Sequence, residues 1–133
     1  MIDKKDLVLV SFESMNTTHF EEIEIINTLS QLLNTHAEYE TVLAAFDTLL
    51  EHMEKHFSSE EKLMKENHFP SLNMHKADHD KVLNQARYAH MMWRNTKDID
   101  DLSEYINEEF IIWLDQHIKA MDTPLADFLL RRN

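Results

Sequence analysis

Apolar residues recur along this chain at alternating steps of three and four, the spacing that lays one stripe along one face of a helix. The clearest stripe is Val42, Phe46, Leu49, Met53, His56, Glu60 and Leu63, which predicts a helix from about Tyr39 to Glu66 with the seam of a left-handed bundle. A second stripe, Leu72, His75, His79, Val82, Ala86, Ala89 and Trp93, predicts another helix with Ser71 at its start. Ahead of them, Met15, His19, Ile23, Ile26 and Leu33 mark a first helix ending near Thr35, with Ser11, Ser14, Asn16 and Thr18 as alternative caps. A fourth runs from about Asp101 to Met121 and turns Ile106, Phe110, Trp113 and His117 inward. Thr123-Pro124 then reads as an N-cap followed by proline at the first helical position, opening a short last helix, Leu125 to Leu130. Residues 1 to about 12 read as an arm that packs Leu7, Val8 and Val10 against the body. The expected fold is all-α: an up-down-up-down four-helix bundle with an N-terminal arm and a short C-terminal helix. At 133 residues, one domain over 1–133 is the simplest organisation.

Composition sharpens this picture. The chain has no glycine and only two prolines, whereas β-rich folds need turn residues at positive φ. The formal net charge of −12 opposes binding to nucleic acid or to an anionic membrane. Without cysteine, neither a disulfide nor thiolate ligation is possible. The Leu7–Phe12 run is too short for the core of a signal peptide, and no stretch approaches a membrane span, so a cytoplasmic protein is expected.

The stripes are interrupted by polar residues where a core should be dry. His19, His56, Glu60, His75, His79 and His117 all fall on inward faces. A lone inward histidine is ordinarily a hydrogen-bonded core residue. Five of them with a carboxylate are different, because a buried carboxylate without a counter-charge costs several kcal/mol. The pairs His56/Glu60 and His75/His79 are each four apart, hence one turn apart on one face. Pro70 breaks the helix between them, so two antiparallel helices would offer both pairs to the same space. Imidazole plus carboxylate without thiolate suits iron, manganese or zinc. A further carboxylate is expected from Asp122, although five residues after His117 is a poor facial pair on an ideal helix; the break at Thr123-Pro124 would swing it back. Two six-coordinate irons sharing two carboxylates and one oxygen atom need six more ligands, and five histidines leave one position open.

Five pieces, THFEE around His19, HFSSEEKLM from His56, the Phe69-Pro70 turn, HKADH at 75–79 and WLDQHIKAMD from Trp113, together resemble the hemerythrin family, specifically its single-domain bacterial members. The resemblance spans nearly the whole chain in the family's order. It implies two iron ions with a bridging oxo or hydroxo group, one held by His75, His79 and His117, the other by His19 and His56. Glu60 and Asp122 would bridge them. Dioxygen would bind reversibly at the open position beside His19 and His56, for storage, delivery or buffering, walled by Trp113, Leu114 and Ile118, with Phe57 following His56. One departure is His68 ahead of Phe69-Pro70, where the family commonly has Tyr-Pro; it puts no ligand in doubt.

The resemblance implies a binding protein rather than an enzyme, with dioxygen as its partner; a monomer is taken as the simplest state. The alternatives are a di-iron enzyme reducing peroxide, dioxygen or nitric oxide, and an oxygen- or redox-sensing module. No histidine has Glu three residues before it, so the Glu-x-x-His pattern of ferritin-like oxidases is missing. His52 sits one position off its seam and reads as a flank residue; His36 and His68 fall in turns, and His90 beside the seam. Glu21, Glu22 and Glu24 read as a solvated face, and Glu61 as pointing outward beside Glu60.

Overall fold

The computed structural model describes residues 7–132. Its helices are α1 (Glu13–Asn34), α2 (Tyr39–Glu66) and α3 (Leu72–Thr96), followed by one long rod over residues 99–132. That rod comprises α4 (Ile99–Glu104), a π-helical stretch Tyr105–Phe110, α5 (Ile111–His117), a second π-helical stretch Ile118–Asp122, and α6 (Thr123–Arg132). Short links make successive rods antiparallel. α1 packs on α2, α2 on α3, α3 on α4, and α4 back on α1, which closes a four-rod bundle. Among the described residues there is no strand, and no helix is long and apolar enough to cross a membrane.

The expected stripes are the core, with one drift. Val42, Phe46, Leu49, Met53, His56 and Glu60 are buried, but at the end of α2 it is Met64 rather than Leu63 that is fully enclosed. A straight helix rotates by about 20° per heptad relative to a strict seven-residue repeat, so after three heptads the buried position moves on by one. On α3, His75, His79, Val82, Ala86 and Trp93 are buried, with Leu72 and Ala89 packed at the margin.

Helix ends are built without glycine. At the end of α1, Ala37 N–H reaches Leu32 O at 2.9 Å and His36 N–H reaches Leu33 O at 3.2 Å. The end of α2 repeats the pattern with Phe69 on Met64 at 2.9 Å and His68 on Lys65 at 3.3 Å. Both are Schellman closures, with histidine where glycine is usual: His36 has φ 53° and His68 φ 54°. Lys97 closes α3 by the simpler left-handed motif at φ 53°, with a single bond from its N–H to Trp93 O at 2.9 Å. The side chain of Asp98 accepts Asp101 N–H and caps α4, whereas Ser71 offers α3 no such bond. Asn16 caps nothing. Its amide holds the arm instead, accepting Val10 N–H and donating to Val10 O, both at 2.9 Å. Leu7 and Val10 are buried against the body as expected, while the arm's residues 1–6 lie outside the described residues.

The expected break before the last helix is absent. Thr123 has φ −61° and ψ −49°, fully helical, so α6 continues the fourth rod. The chain accommodates Pro124 by widening one turn. Thr123 N–H bonds to Ile118 O five residues back, and the Thr123 hydroxyl donates to the same carbonyl at 2.9 Å. A π turn absorbs one extra residue and relieves the clash that proline brings to the preceding turn.

Non-glycine residues pay about 1–2 kcal/mol in the left-handed region. Replacing exposed His36 with glycine should therefore raise stability by about 0.5–1 kcal/mol, read from the denaturant midpoint at constant slope. An unchanged or lower midpoint would show that the His36 side chain has a compensating role.

Candidate metal centre

The helices deliver the polar residues to one place. α1 brings His19; α2 brings His56 and Glu60; α3 brings His75 and His79; the fourth rod brings His117 and Asp122. All seven are buried, none above 6 % exposed. The π turn Ile118–Asp122 is what makes the last pair work. Residues five apart share a face across an i→i+5 turn, so His117 and Asp122 point inward together. The sequence placed Asp122 there through a chain break; the structure does it through a wider turn.

The seven form two overlapping groups. Glu60, His75, His79, His117 and Asp122 bring ligand atoms within 4.8 Å of one another, and so do His19, His56, Glu60 and Asp122. Both carboxylates belong to both groups, and each divides its oxygens between them. Glu60 Oε1 lies 3.3 Å from His75 Nε2 and 3.1 Å from His79 Nε2, while its Oε2 lies 2.7 Å from His56 Nε2. Asp122 Oδ1 lies 3.1 Å from the Nε2 atoms of both His75 and His117, while its Oδ2 lies 2.9 Å from His19 Nε2.

On the three-imidazole side these approaches are not hydrogen bonds. Nε2 of His75, His79 and His117, Oε1 of Glu60 and Oδ1 of Asp122 are buried without a hydrogen-bond partner among the described residues. Five orphaned polar atoms converging on one point would each cost about 1–3 kcal/mol if nothing joined them. Neighbouring ligands on an ion with bonds of about 2.1 Å sit about 3 Å apart, as these atoms do. The donor set therefore fits a first-row metal dication bound by nitrogen and oxygen.

Behind the ring stands a set of carboxylates that orients the imidazoles. His117 Nδ1 donates to Asp78 Oδ2 at 2.6 Å and His79 Nδ1 to Glu61 Oε2 at 3.0 Å. His56 Nδ1 donates to Glu22 Oε1 at 3.3 Å, and His52 Nδ1 meets the same oxygen at 3.2 Å. This corrects two expectations. Glu22 is not solvated but fully buried, because it lies one turn past His19 beside Ile23; Glu61 turns sideways to His79 rather than outward. His52 stays on the flank at 17 % side-chain exposure, outside both ligand groups, but forms a third, smaller cluster with Glu22 and His56. A carboxylate one turn from an inward histidine was the signal available for Glu22. Nothing in the spacing marks Asp78.

The two aromatic residues expected at the open position stack on imidazoles of the three-histidine side. Phe57 stacks on His79 at 4.0 Å between centroids and lies 5.1 Å from His56, while Trp113 stacks on His117 at 4.6 Å. Leu114 and Ile118 are buried on the inward side of the fourth rod. Phe57 and Trp113 thus lie chiefly against the three-imidazole side. A cleft of about 290 Å³ between α2 and α3 reaches Phe57, Glu61 and His79.

Electrostatics show what the metal-free protein does with these groups. Burial opposes the charged form of His117, but the adjacent Asp122 and Asp78 carboxylates outweigh it and raise the imidazole to about 9. His56 and His75 are raised as well, against burial, by Glu60 and Glu22 and by Asp122 and Glu60 respectively. Glu22, disfavoured by burial, is nevertheless held at about 2 by the charge on His56 and the hydrogen bonds from His52 and His56. Glu60 and Asp122 are lowered in the same way, against burial, by the imidazoles around them. Protons thus stand where cations would.

A buried all-helical cage of five imidazoles and two shared carboxylates defines a metal-binding four-helix protein. The profile of the family described as "Hemerythrin HHE cation binding domain" matches residues 10–129, and the chain belongs to that family. It is 34% identical over 115 residues to the bacteriohemerythrin of Aquifex aeolicus, covering 86% of this chain and 87% of that protein. It is 32% identical over 91 residues to the bacteriohemerythrin of Ralstonia nicotianae, covering 68% of this chain and 64% of that protein. With the bacteriohemerythrin of Clostridium acetobutylicum it shares 28% identity over 130 residues, 92% of this chain and 97% of that one. No solved structure matches the chain.

Two predictions follow from this geometry. Deleting exposed Ala120 restores the four-residue step of an α turn and should leave metal content unchanged, whereas inserting an alanine there should empty the cluster. Loss of metal in both would show that the π turn itself is required. The second concerns pH. Raised imidazoles stabilise the metal-free fold fully below their ordinary 6.5, and that contribution fades as pH rises, for His117 through about 9. Lowered carboxylates stabilise it above their ordinary 4.5, and that contribution fades as pH falls, for Glu22 through about 2. Metal-free protein should melt highest between those ordinary values, whereas metal binding, which displaces the imidazole protons, strengthens as pH rises. The Tm gap between loaded and metal-free protein should widen from about pH 6 to about pH 9; a constant gap would mean that the metal-free imidazoles carry no proton.

Proposed function

We propose that this chain binds dioxygen reversibly at two iron ions held among the four rods. The observation that carries the reading is the division of each carboxylate between the two imidazole groups, Oε1 and Oδ1 to one, Oε2 and Oδ2 to the other. His75, His79 and His117 hold one iron, and His19 and His56 the other. Glu60 and Asp122 serve both, together with an oxo or hydroxo bridge. Five imidazoles against six positions leave one place open on the side of His19 and His56. Two irons held by these residues would supply the two electrons that reversible dioxygen binding requires. The remaining work belongs to the chain.

Glu22, Glu61 and Asp78 fix the ring orientations of His56, His79 and His117 and make their other nitrogens better donors. Leu114 and Ile118, with Phe57 beside His56, form an apolar wall that keeps water from the open position and so slows irreversible oxidation, while Trp113 covers His117 on the other side. We read the chain as one domain over 1–133, in line with a family match that covers residues 10–129, and place it in the cytoplasm.

One feature favours a second reading as a di-iron enzyme. His52 links buried Glu22, at 3.2 Å, to Glu21, at 3.5 Å and 59 % exposed, so a chain of acid and imidazole runs from His56 to the surface. A reductase consuming protons at the site would use such a path.

Protein grown with iron should contain two irons per chain. Its ferrous form should gain visible charge-transfer absorption in air and lose it under vacuum over repeated cycles. Glu60→Ala should remove both irons, whereas Glu61→Ala should weaken metal binding by only about 10–100-fold. A single zinc would refute the di-iron site, and bleaching in one cycle with turnover of peroxide would favour the enzyme.

A further inference from the structure

The seven residues of the metal centre are sealed inside the bundle, none above 6 % exposed. A dication cannot shed its water and cross an apolar shell unaided; other oxygen and nitrogen ligands must take over on the way. One face of the bundle offers such ligands in order.

Between α1 and α2, Glu21, His52 and Glu22 form a line from the surface to His56. Glu21 is 59 % exposed, and its Oε2 lies 3.5 Å from His52 Nε2. His52 is 17 % exposed, and its Nδ1 lies 3.2 Å from Oε1 of Glu22, which is fully buried. The same oxygen lies 3.3 Å from His56 Nδ1, while His56 Nε2 stands 2.7 Å from Glu60 Oε2 in the cluster. His56 therefore faces both ways, one nitrogen to the line and the other to the metal centre.

Three features make the inner end of this line a place for a cation. Glu22, His52 and His56 each bring one ligand atom within 4.8 Å of the others, a group apart from the two that make up the centre. Their contacts are long for hydrogen bonds to a carboxylate, which run at about 2.7–2.9 Å; that from His117 to Asp78 is 2.6 Å. Spacings slightly above 3 Å are instead those of neighbouring ligands on one ion, about 3 Å apart. Finally, Oε2 of Glu22 is buried and has no hydrogen-bond partner among the described residues. A carboxylate oxygen only accepts, so what it calls for is positive charge. The cleft between α2 and α3 also approaches the cluster, but it carries Arg87 in its wall and no imidazole besides that of His79.

We propose that Glu21, His52 and Glu22 form an entry site, where an incoming divalent cation is captured before it passes His56 into the centre. Exposed Glu21 draws the ion in, His52 takes it below the surface, and Glu22 holds it against His56 Nδ1. The proposal rests on the metal centre described above, not on what that centre binds.

The test is stopped-flow loading of the metal-free full chain with cobalt(II), followed by its visible absorption, and then release of that cobalt to excess chelator. His52→Ala should slow loading at least about tenfold, and Glu21→Gln about threefold. Neither residue belongs to the two ligand groups of the centre, so both variants should reach the wild-type cobalt content. Release should slow by the same factors, because a step lost from a path is lost in both directions. Faster release would mean that His52 only steadies the cluster through Glu22, and would overturn the proposal. Glu51→Gln removes the same charge beside His52, from a residue paired with Lys55 at 3.2 Å, and should load at the wild-type rate. Equal slowing in that variant would overturn the proposal by reducing the effect to surface potential. Wild-type rates in His52→Ala would overturn it and leave the metal centre standing, and slowing by Asp80→Asn in their place would move entry to the α2–α3 cleft. Wild-type protein that takes up no cobalt at all would sink the metal centre and the entry site together.

Discussion

Three buried carboxylates govern this fold. Glu22, Glu60 and Asp122 are each no more than 4 % exposed, in a core otherwise made of Phe46, Leu49, Met53, Ile106 and Phe110. An ionised carboxylate in such surroundings is tolerated only when positive charge stands against it. In the metal-free protein the positive charge is on the imidazoles, which is why the imidazoles are raised and the acids lowered together. The arrangement is a bundle whose centre is satisfied by cations of one kind or another. Protons serve, but they leave Nε2 of His75, His79 and His117 facing oxygens at 3.1–3.3 Å without a proper hydrogen bond. Metal dications would remove that frustration, so binding energy and folding energy are linked.

The surrounding elements make the most of this demand. Each rod contributes at least one of the seven residues, so the bundle cannot close its centre with any rod displaced. Around the seven, Glu22, Glu61 and Asp78 lock three rings from behind, while Phe57 and Trp113 lie flat on two of them. An imidazole held at its far nitrogen and across its face has little freedom left. That preorganisation suits a site meant to keep its geometry through a change in the charge of whatever it holds.

Two kinds of irregularity trace to the same centre or to the absence of glycine. The π turn at Ile118–Asp122 reconciles Pro124 with continuous helix and delivers Asp122 inward in the same stroke. Three histidines outside the cluster have unrelated tasks. His36 and His68 close helices at positive φ, and His90 donates to Asp47 at 2.6 Å across α2 and α3.

Most of the cage was legible along the chain, because helical periodicity is local. Steps of three and four place His56 with Glu60 and His75 with His79 on inward faces whatever else the chain does. The same counting marked the core of α2 and α3, while the lack of glycine argued against the strands that the described residues indeed do without. It failed for Asp122, since five residues is the wrong step for an α turn, and the π turn arises from proline acting within a packed rod. It failed also for Glu22 and Glu61, whose burial depends on which neighbour stands across the gap: His52 and His56 for one, His79 for the other. The chain alone decided which residues face inward, as a matter of backbone geometry. Only the packed bundle decided which oxygen meets which nitrogen, because those pairings join residues up to 103 positions apart and exist only when four rods close on one another.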